Sequence, residues 1–140
     1  MSATNTLYFV ANDGSNGPVL WTSNGDAAAT KIVANINPSN LTVIGSKLFF
    51  SANDGTNGVE LWMTDGLTNK TAMLKNINVT VPGASSNPSN FTVQGDKLFF
   101  IANDGINGNE LWVSDGTLAN TNMVLDLKTG LADGVRAIFP

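Results

Sequence analysis

Three tryptophans, Trp21, Trp62 and Trp112, stand at the same place in three similar stretches: Val19-Leu20-Trp21, Glu60-Leu61-Trp62 and Glu110-Leu111-Trp112. An indole is the usual platform on which a sugar ring stacks, with nearby polar side chains fixing its hydroxyls. Glu60 and Glu110, followed by Asp65 and Asp115, supply such groups, so these seven residues are candidates for a multivalent, lectin-like glycan site. The same tryptophans fit a second role, one large aromatic per unit filling the space between packed sheets. Alternation puts Glu60, Trp62 and Thr64 on one side of a strand. That partly polar face suits either a ligand or an edge at a sheet boundary.

A second polar motif recurs three times: Asn12, Asp13 and Asn16; Asn53, Asp54 and Asn57; Asn103, Asp104 and Asn107, each set interleaved with glycine. Oxygen-rich loops suit calcium, which makes these residues metal candidates and calcium the candidate cofactor. The spacing is not that of an EF-hand, however, and each loop holds a single carboxylate. Asx-type hydrogen bonding in a tight hairpin explains the same residues. Glu60 with Glu110, or Asp65 with Asp115, can also be drawn as an acid and base pair. Recurrence of these positions by unit speaks against that, since a catalytic pair is one asymmetric constellation. With no cysteine and no histidine in 140 residues, thiolate nucleophiles, imidazole triads and Cys/His metal sites are excluded. No enzyme is expected. Asn40, Asn69, Asn78 and Asn90 each open an Asn-x-Thr pattern, which the Asn/Thr-rich composition accounts for.

The elements that must position these residues belong to an internal repeat. The copies read LYFVANDGSNGPVLWTSNG from Leu7, LFFSANDGTNGVELWMTDG from Leu48 and LFFIANDGINGNELWVSDG from Leu98. Repeat boundaries are placed at about 7–47, 48–97 and 98–140, within one domain spanning 1–140. In the second copy, strands are expected at 41–44, 47–52, 60–64 and about 71–77, with Gly45-Ser46, the Asn53–Gly58 loop and Asp65-Gly66 as turns. Leu48, Phe50 and Ala52 share one face and Phe49 and Ser51 the other. Large apolar groups on both faces imply a strand between two layers. The stretch NVTVPGASS, from Asn78 to Ser86, reads as an inserted loop.

The motifs Glu60-Leu61-Trp62-Met63-Thr64-Asp65-Gly66 and Glu110-Leu111-Trp112-Val113-Ser114-Asp115-Gly116-Thr117 resemble those of the bacterial ELW-x-x-DGT repeat family. The Leu-Phe-Phe-x-Ala-Asn-Asp-Gly and Asn-Pro-Ser-Asn-Leu/Phe-Thr-Val stretches extend the likeness over nearly the whole chain. The resemblance implies propeller-like repeats in secreted or surface bacterial proteins and does not imply a catalytic activity. Copy one departs from the motif, with Val19 in place of Glu and Asn24 in place of Asp.

Four strands per 40 to 50 residues match a β-propeller blade, and three units also match a β-trefoil. The chain enters at the second strand of a unit and ends, at Gly134–Phe139, in the register of the next unit's first strand. The expectation is therefore all-β, with three four-stranded blades per chain and a homodimer completing a six-bladed ring. In that ring the last strand closes the unit begun at Leu7, within its own chain or by exchange. The alternative is a monomeric trefoil. The function expected is a non-catalytic binding or scaffold module with glycans as its most concrete ligand, or a purely structural array. Seven basic against eleven acidic side chains give a net charge of −4 without a basic cluster, which excludes a nucleic-acid partner. The apolar stretches are strand-length, so no bilayer-spanning helix is expected, and the N-terminus carries no secretory signal pattern.

Overall fold

The computed structural model describes residues 6–66 and 70–140; Asn69 and the first five residues, on which two of the readings above fall, lie outside them. The chain forms β1 (Leu7–Asn12), β2 (Pro18–Ser23), β3 (Lys31–Ala34), β4 (Pro38–Ile44), β5 (Lys47–Asn53), β6 (Val59–Thr64), β7 (Ala72–Lys75), β8 (Ser89–Gln94), β9 (Lys97–Asn103), β10 (Asn109–Ser114) and β11 (Asn122–Leu125). They make three antiparallel meanders, β1-β2-β3, β4-β5-β6-β7 and β8-β9-β10-β11, none of which closes into a barrel. The protein is all-β, with a 3-10 turn at Ala27–Ala29 between β2 and β3.

Each central hairpin is fixed by its Asn-Asp-Gly-x-Asn-Gly loop. Gly55 and Gly58 take φ of 83° and 76°, the left-handed region that side chains resist. The loop sets a register that pairs Phe9 with Trp21, Phe50 with Trp62 and Phe100 with Trp112. A bulge directly before each tryptophan, against the following strand, repeats in all three sheets.

The sheets pack in chain order. Leu48, Phe50, Ala52 and Trp62 of the second sheet meet Leu20, Val33 and Tyr8 of the first. Phe49 and Leu61, on the opposite face, meet Leu98, Phe100, Ala102 and Trp112 of the third. Thus β5 is buried on both sides, as its double-sided apolar pattern requires.

Two expectations need correction. The first unit has three strands and not four: β1 is the counterpart of β5 and β9, and nothing among the described residues takes the place of β4 or β8 beside it. The C-terminal stretch 134–139 forms no strand in the single chain. A strand needs an edge to pair with, and this stretch lies on the third sheet's face beside Phe99 and Leu111.

Candidate functional site

The glutamate of the repeated motif lies inside the molecule. Glu60 is fully buried, on the same strand face as Trp62. Its carboxylate accepts hydrogen bonds from the backbone N–H of Ile77 at 2.9 Å, Asn78 at 3.4 Å and Ser86 at 3.0 Å, and from the Ser86 hydroxyl at 2.5 Å. Those donors are the two ends of the link between the second and third sheets, so one side chain gathers the whole inserted loop. Burial pushes the Glu60 carboxyl above the usual glutamate range, and the four hydrogen bonds pull the other way.

Glu110 repeats the arrangement one unit later. It too is fully buried, and the N–H of Leu127 donates to its Oε2 at 3.2 Å. Gly134 stands where Ser86 stood: the N–H groups of Gly134 and Val135 both donate to the Asn109 carbonyl, as those of Ser86 and Asn87 do to Val59. A Cβ at Gly134 would collide with the Glu110 carboxylate, which is why this position has no side chain. Glu110 Oε1 is left without a hydrogen-bond partner. In the first sheet the position is Val19, and the link it faces is only residues 35–37. A short link leaves no ring of N–H donors to satisfy, so an apolar side chain serves there.

The tryptophans are packed against phenylalanines, with ring centroids 6.3 Å apart in each of the three cross-strand pairs. The indole N–H of Trp21 donates to the Ala11 carbonyl at 3.1 Å, and that of Trp62 to Ala52 at 3.0 Å. Trp112 is buried with its Nε1 unpartnered, and the Lys75 ammonium lies 5.7 Å above its ring. Trp62 and Trp112 sit between sheets, whereas Trp21, half-buried with Phe9, lies on the first sheet's outward face.

The Asx loops are closed on themselves. In each, the Asp carboxylate accepts two backbone N–H groups and the amide of the Asn three residues on: Asp13 with Ser15 and Asn16, Asp54 with Thr56 and Asn57, Asp104 with Ile106 and Asn107. Asn12, Asn53 and Asn103 each accept from the glycine two residues later. Hydrogen bonding from Asn57 and Thr56 lowers the Asp54 carboxyl, and hydrogen bonds from Ser15 and Asn16 do the same at Asp13. Around Asp104 partial burial raises, but the donors outweigh it. No group of three or more His, Cys, Asp or Glu that can hold a metal ion exists among the described residues.

Asp65 and Asp115 occupy the turns after β6 and β10. Asp65 is exposed and helps burial raise the Tyr8 phenol. Asp115 accepts from the Thr117 hydroxyl at 2.7 Å and the Asn120 amide at 2.6 Å, which lowers its carboxyl. Beneath these turns a hydroxyl clip recurs: Ser23, Thr64 and Ser114 each accept the N–H of the following glycine and pair with Thr30, Thr71 and Thr121. Lysines join neighbouring sheets, Lys47 to the Asp115 carbonyl at 3.2 Å and Lys75 to that of Thr121 at 2.6 Å.

The structure therefore brings Glu60 together with Trp62 on one buried face, keeps Asp65 and Asp115 at turns, and holds the Asx residues in separate hairpins. Ser86, Lys47 and Lys75 are partners that sequence reading passed over. The signal for Ser86 was present: the unit with Glu60 is followed by a long link, and the unit with Val19 by a short one. The chain matches no known family model and no curated protein. Among the described residues no helix is long and apolar enough to cross a membrane.

Proposed function

We propose that this protein is a non-catalytic, propeller-like repeat module, half of a ring completed by a second copy, acting as a binding scaffold. The observation that carries the reading is a difference in exposure among equivalent leucines. Leu7 is 63% exposed, while Leu48 is 1% and Leu98 0% exposed at the same repeat position. The second and third leucines are covered by the preceding sheet, and among the described residues no sheet covers the first. A soluble chain gains by covering such a face, and three sheets fall below the four to eight of a closed propeller, which two copies reach. The alternative fold, a trefoil, is built on a barrel, and the three sheets are open.

The scaffold reading accounts for the repeated polar groups without a substrate. The Asx loops and hydroxyl clips recur in all three units because each has the same turns to hold, and Glu60 and Glu110 recur in the two units whose sheets are followed by a long segment. Native mass by light scattering tests the ring: about twice 14.7 kDa is expected, and a monomer at every concentration removes it. Glycan binding is a second reading, favoured by Trp21, the indole on the outward face. Titration with sugars should then quench or shift tryptophan fluorescence in the wild type and less in Trp21→Phe, whereas an unchanged spectrum ends that reading.

A further inference from the structure

We infer that residues 136–139 supply the missing edge strand beside β1 of a second copy, with Ala137 opposite Val10. The inference rests on the ring reading and adds to it the segment, the register and the contacts that close it.

The chain leaves the third sheet as it leaves the second. Ser86 and Asn87 are tied to the Val59 carbonyl, and two residues later the chain enters β8 at Ser89. Gly134 and Val135 are tied in the same way to Asn109, so Ala137 holds the place of Ser89. The tail also lies where an entering strand should. Phe91 of β8 packs against the cluster containing Phe49 and Leu61 of the preceding sheet. Ile138 and Phe139 line a cavity of about 330 Å³ with Phe99 and Leu111, the corresponding residues of the third sheet. What the tail lacks there is a pairing edge, and Phe139 remains 85% exposed.

The complementary edge is at the other end of the chain. Among the described residues β1 is an edge, whereas its counterparts β5 and β9 are paired with β4 and β8. Ser39 pairs with Ser51, and Ser89 with Ile101. Transferred by repeat position, Ala137 pairs with Val10. The side chains fit: in place of the Ser39–Ser51 hydroxyl pair, 2.9 Å apart with Ser51 buried and Ser39 exposed, stands an apolar pair, and Val10, 39% exposed in the single chain, is covered by it. The flanking contacts transfer as well. Lys47 of the second sheet reaches the Asp115 carbonyl of the third; Lys97, exposed, then reaches the Asn24 carbonyl of the second copy. Phe99, Leu111 and Val113 face Leu7, Phe9 and Trp21 as Phe49, Leu61 and Met63 face Leu98, Phe100 and Trp112. The contact is head to tail, and two such contacts close a pair.

A cysteine trap reads the register, because the natural chain has no cysteine. Paired strand positions lie about 4.5–5.5 Å apart at Cα, within the span of a disulfide. Val10→Cys with Ala137→Cys, oxidised mildly, should give a dimer on denaturing non-reducing gels that reduction dissolves. Ser39→Cys with Ser51→Cys, the equivalent pair inside one chain, is the control and should give a cross-linked monomer. A cross-linked monomer from the Val10/Ala137 variant would overturn exchange in favour of closure within one chain. A ladder of larger species would overturn the closed pair. If no cross-link forms but the uncrosslinked mass is doubled, the strand placement falls and the ring reading survives; if the mass is also that of one chain, both fall.

Discussion

Glu60 is surrounded on every side by donors, and that decides what its replacement should do. Glutamine keeps the shape but turns one acceptor into an N–H₂ group facing N–H groups, which strands buried donors. Glu60→Gln is expected to lower stability by about 2–3 kcal/mol in urea unfolding, while Asp26→Ala, whose side chain makes no capping bond, should change it by less than about 0.5 kcal/mol. The hydrogen-bonded aspartates of the turns, with Glu60, set the pH dependence. The carboxyls of Asp13, Asp54, Asp104 and Asp115 are held below the ordinary value of 3.8, so the native state binds their protons less tightly than the unfolded chain. Their contribution is present above that value and is lost as the pH falls through the lower, folded-state values. Glu60 is raised above 4.5, and its sign is opposite: its contribution is full below that value and fades as the pH rises through the folded-state one. The melting temperature should therefore drop on acidification below 3.8, less steeply in Asp54→Asn. Above 4.5, Glu60→Gln should abolish a small decline that the wild type shows. A wild-type melting temperature that is flat across both windows would contradict these assignments.

At the level of strands and loops, the two glycines of one hairpin separate backbone strain from packing. Gly55 has φ of 83° and a methyl group there would meet only open space, so Gly55→Ala should cost only the left-handed penalty, about 1–2 kcal/mol. Gly58 has a similar φ of 76°, but a Cβ there would stand 2.5 Å from the Ala84 carbonyl oxygen in the link that Glu60 gathers. Gly58→Ala should cost clearly more, and equal losses in the two variants would mean that the link yields. The hairpins were legible in the sequence because their signals are local: Asn-Asp-Gly fixes the turn, and Leu48-Phe49-Phe50 with period two fixes both buried faces. The place of Glu60 was not. Alternation put it beside Trp62, yet a carboxylate on a strand reads as surface unless the donors that bury it are known, and those come from residues 17 to 26 positions away. Trp62 was ambiguous for the same reason: whether an indole is covered depends on a neighbouring sheet, which periodicity within one strand does not report.

For the whole molecule, stability in a stack of sheets is a sum of units and of the contacts between neighbours. Two contacts exist within the chain, each with its own apolar cluster. Pairing two copies head to tail adds two more contacts of the same kind. The middle sheet is covered on both faces within the chain; in the proposed pair the outer sheets would be covered on both faces as well. A native pair that dissociates on unfolding ties stability to concentration, because association favours the folded state by mass action. The melting temperature of the wild type should accordingly rise with protein concentration over about the micromolar to hundred-micromolar range, by several degrees for each kcal/mol gained. Leu7→Asp is the discriminating variant. Leu7 is 63% exposed in the single chain, so the change leaves each chain's own core intact but would place a carboxylate in the proposed contact between copies. Its melting temperature should be lower and independent of concentration, with far-ultraviolet circular dichroism unchanged. A wild-type melting temperature that ignores concentration while the mass stays that of one chain would mean that the outward face of the first sheet remains uncovered.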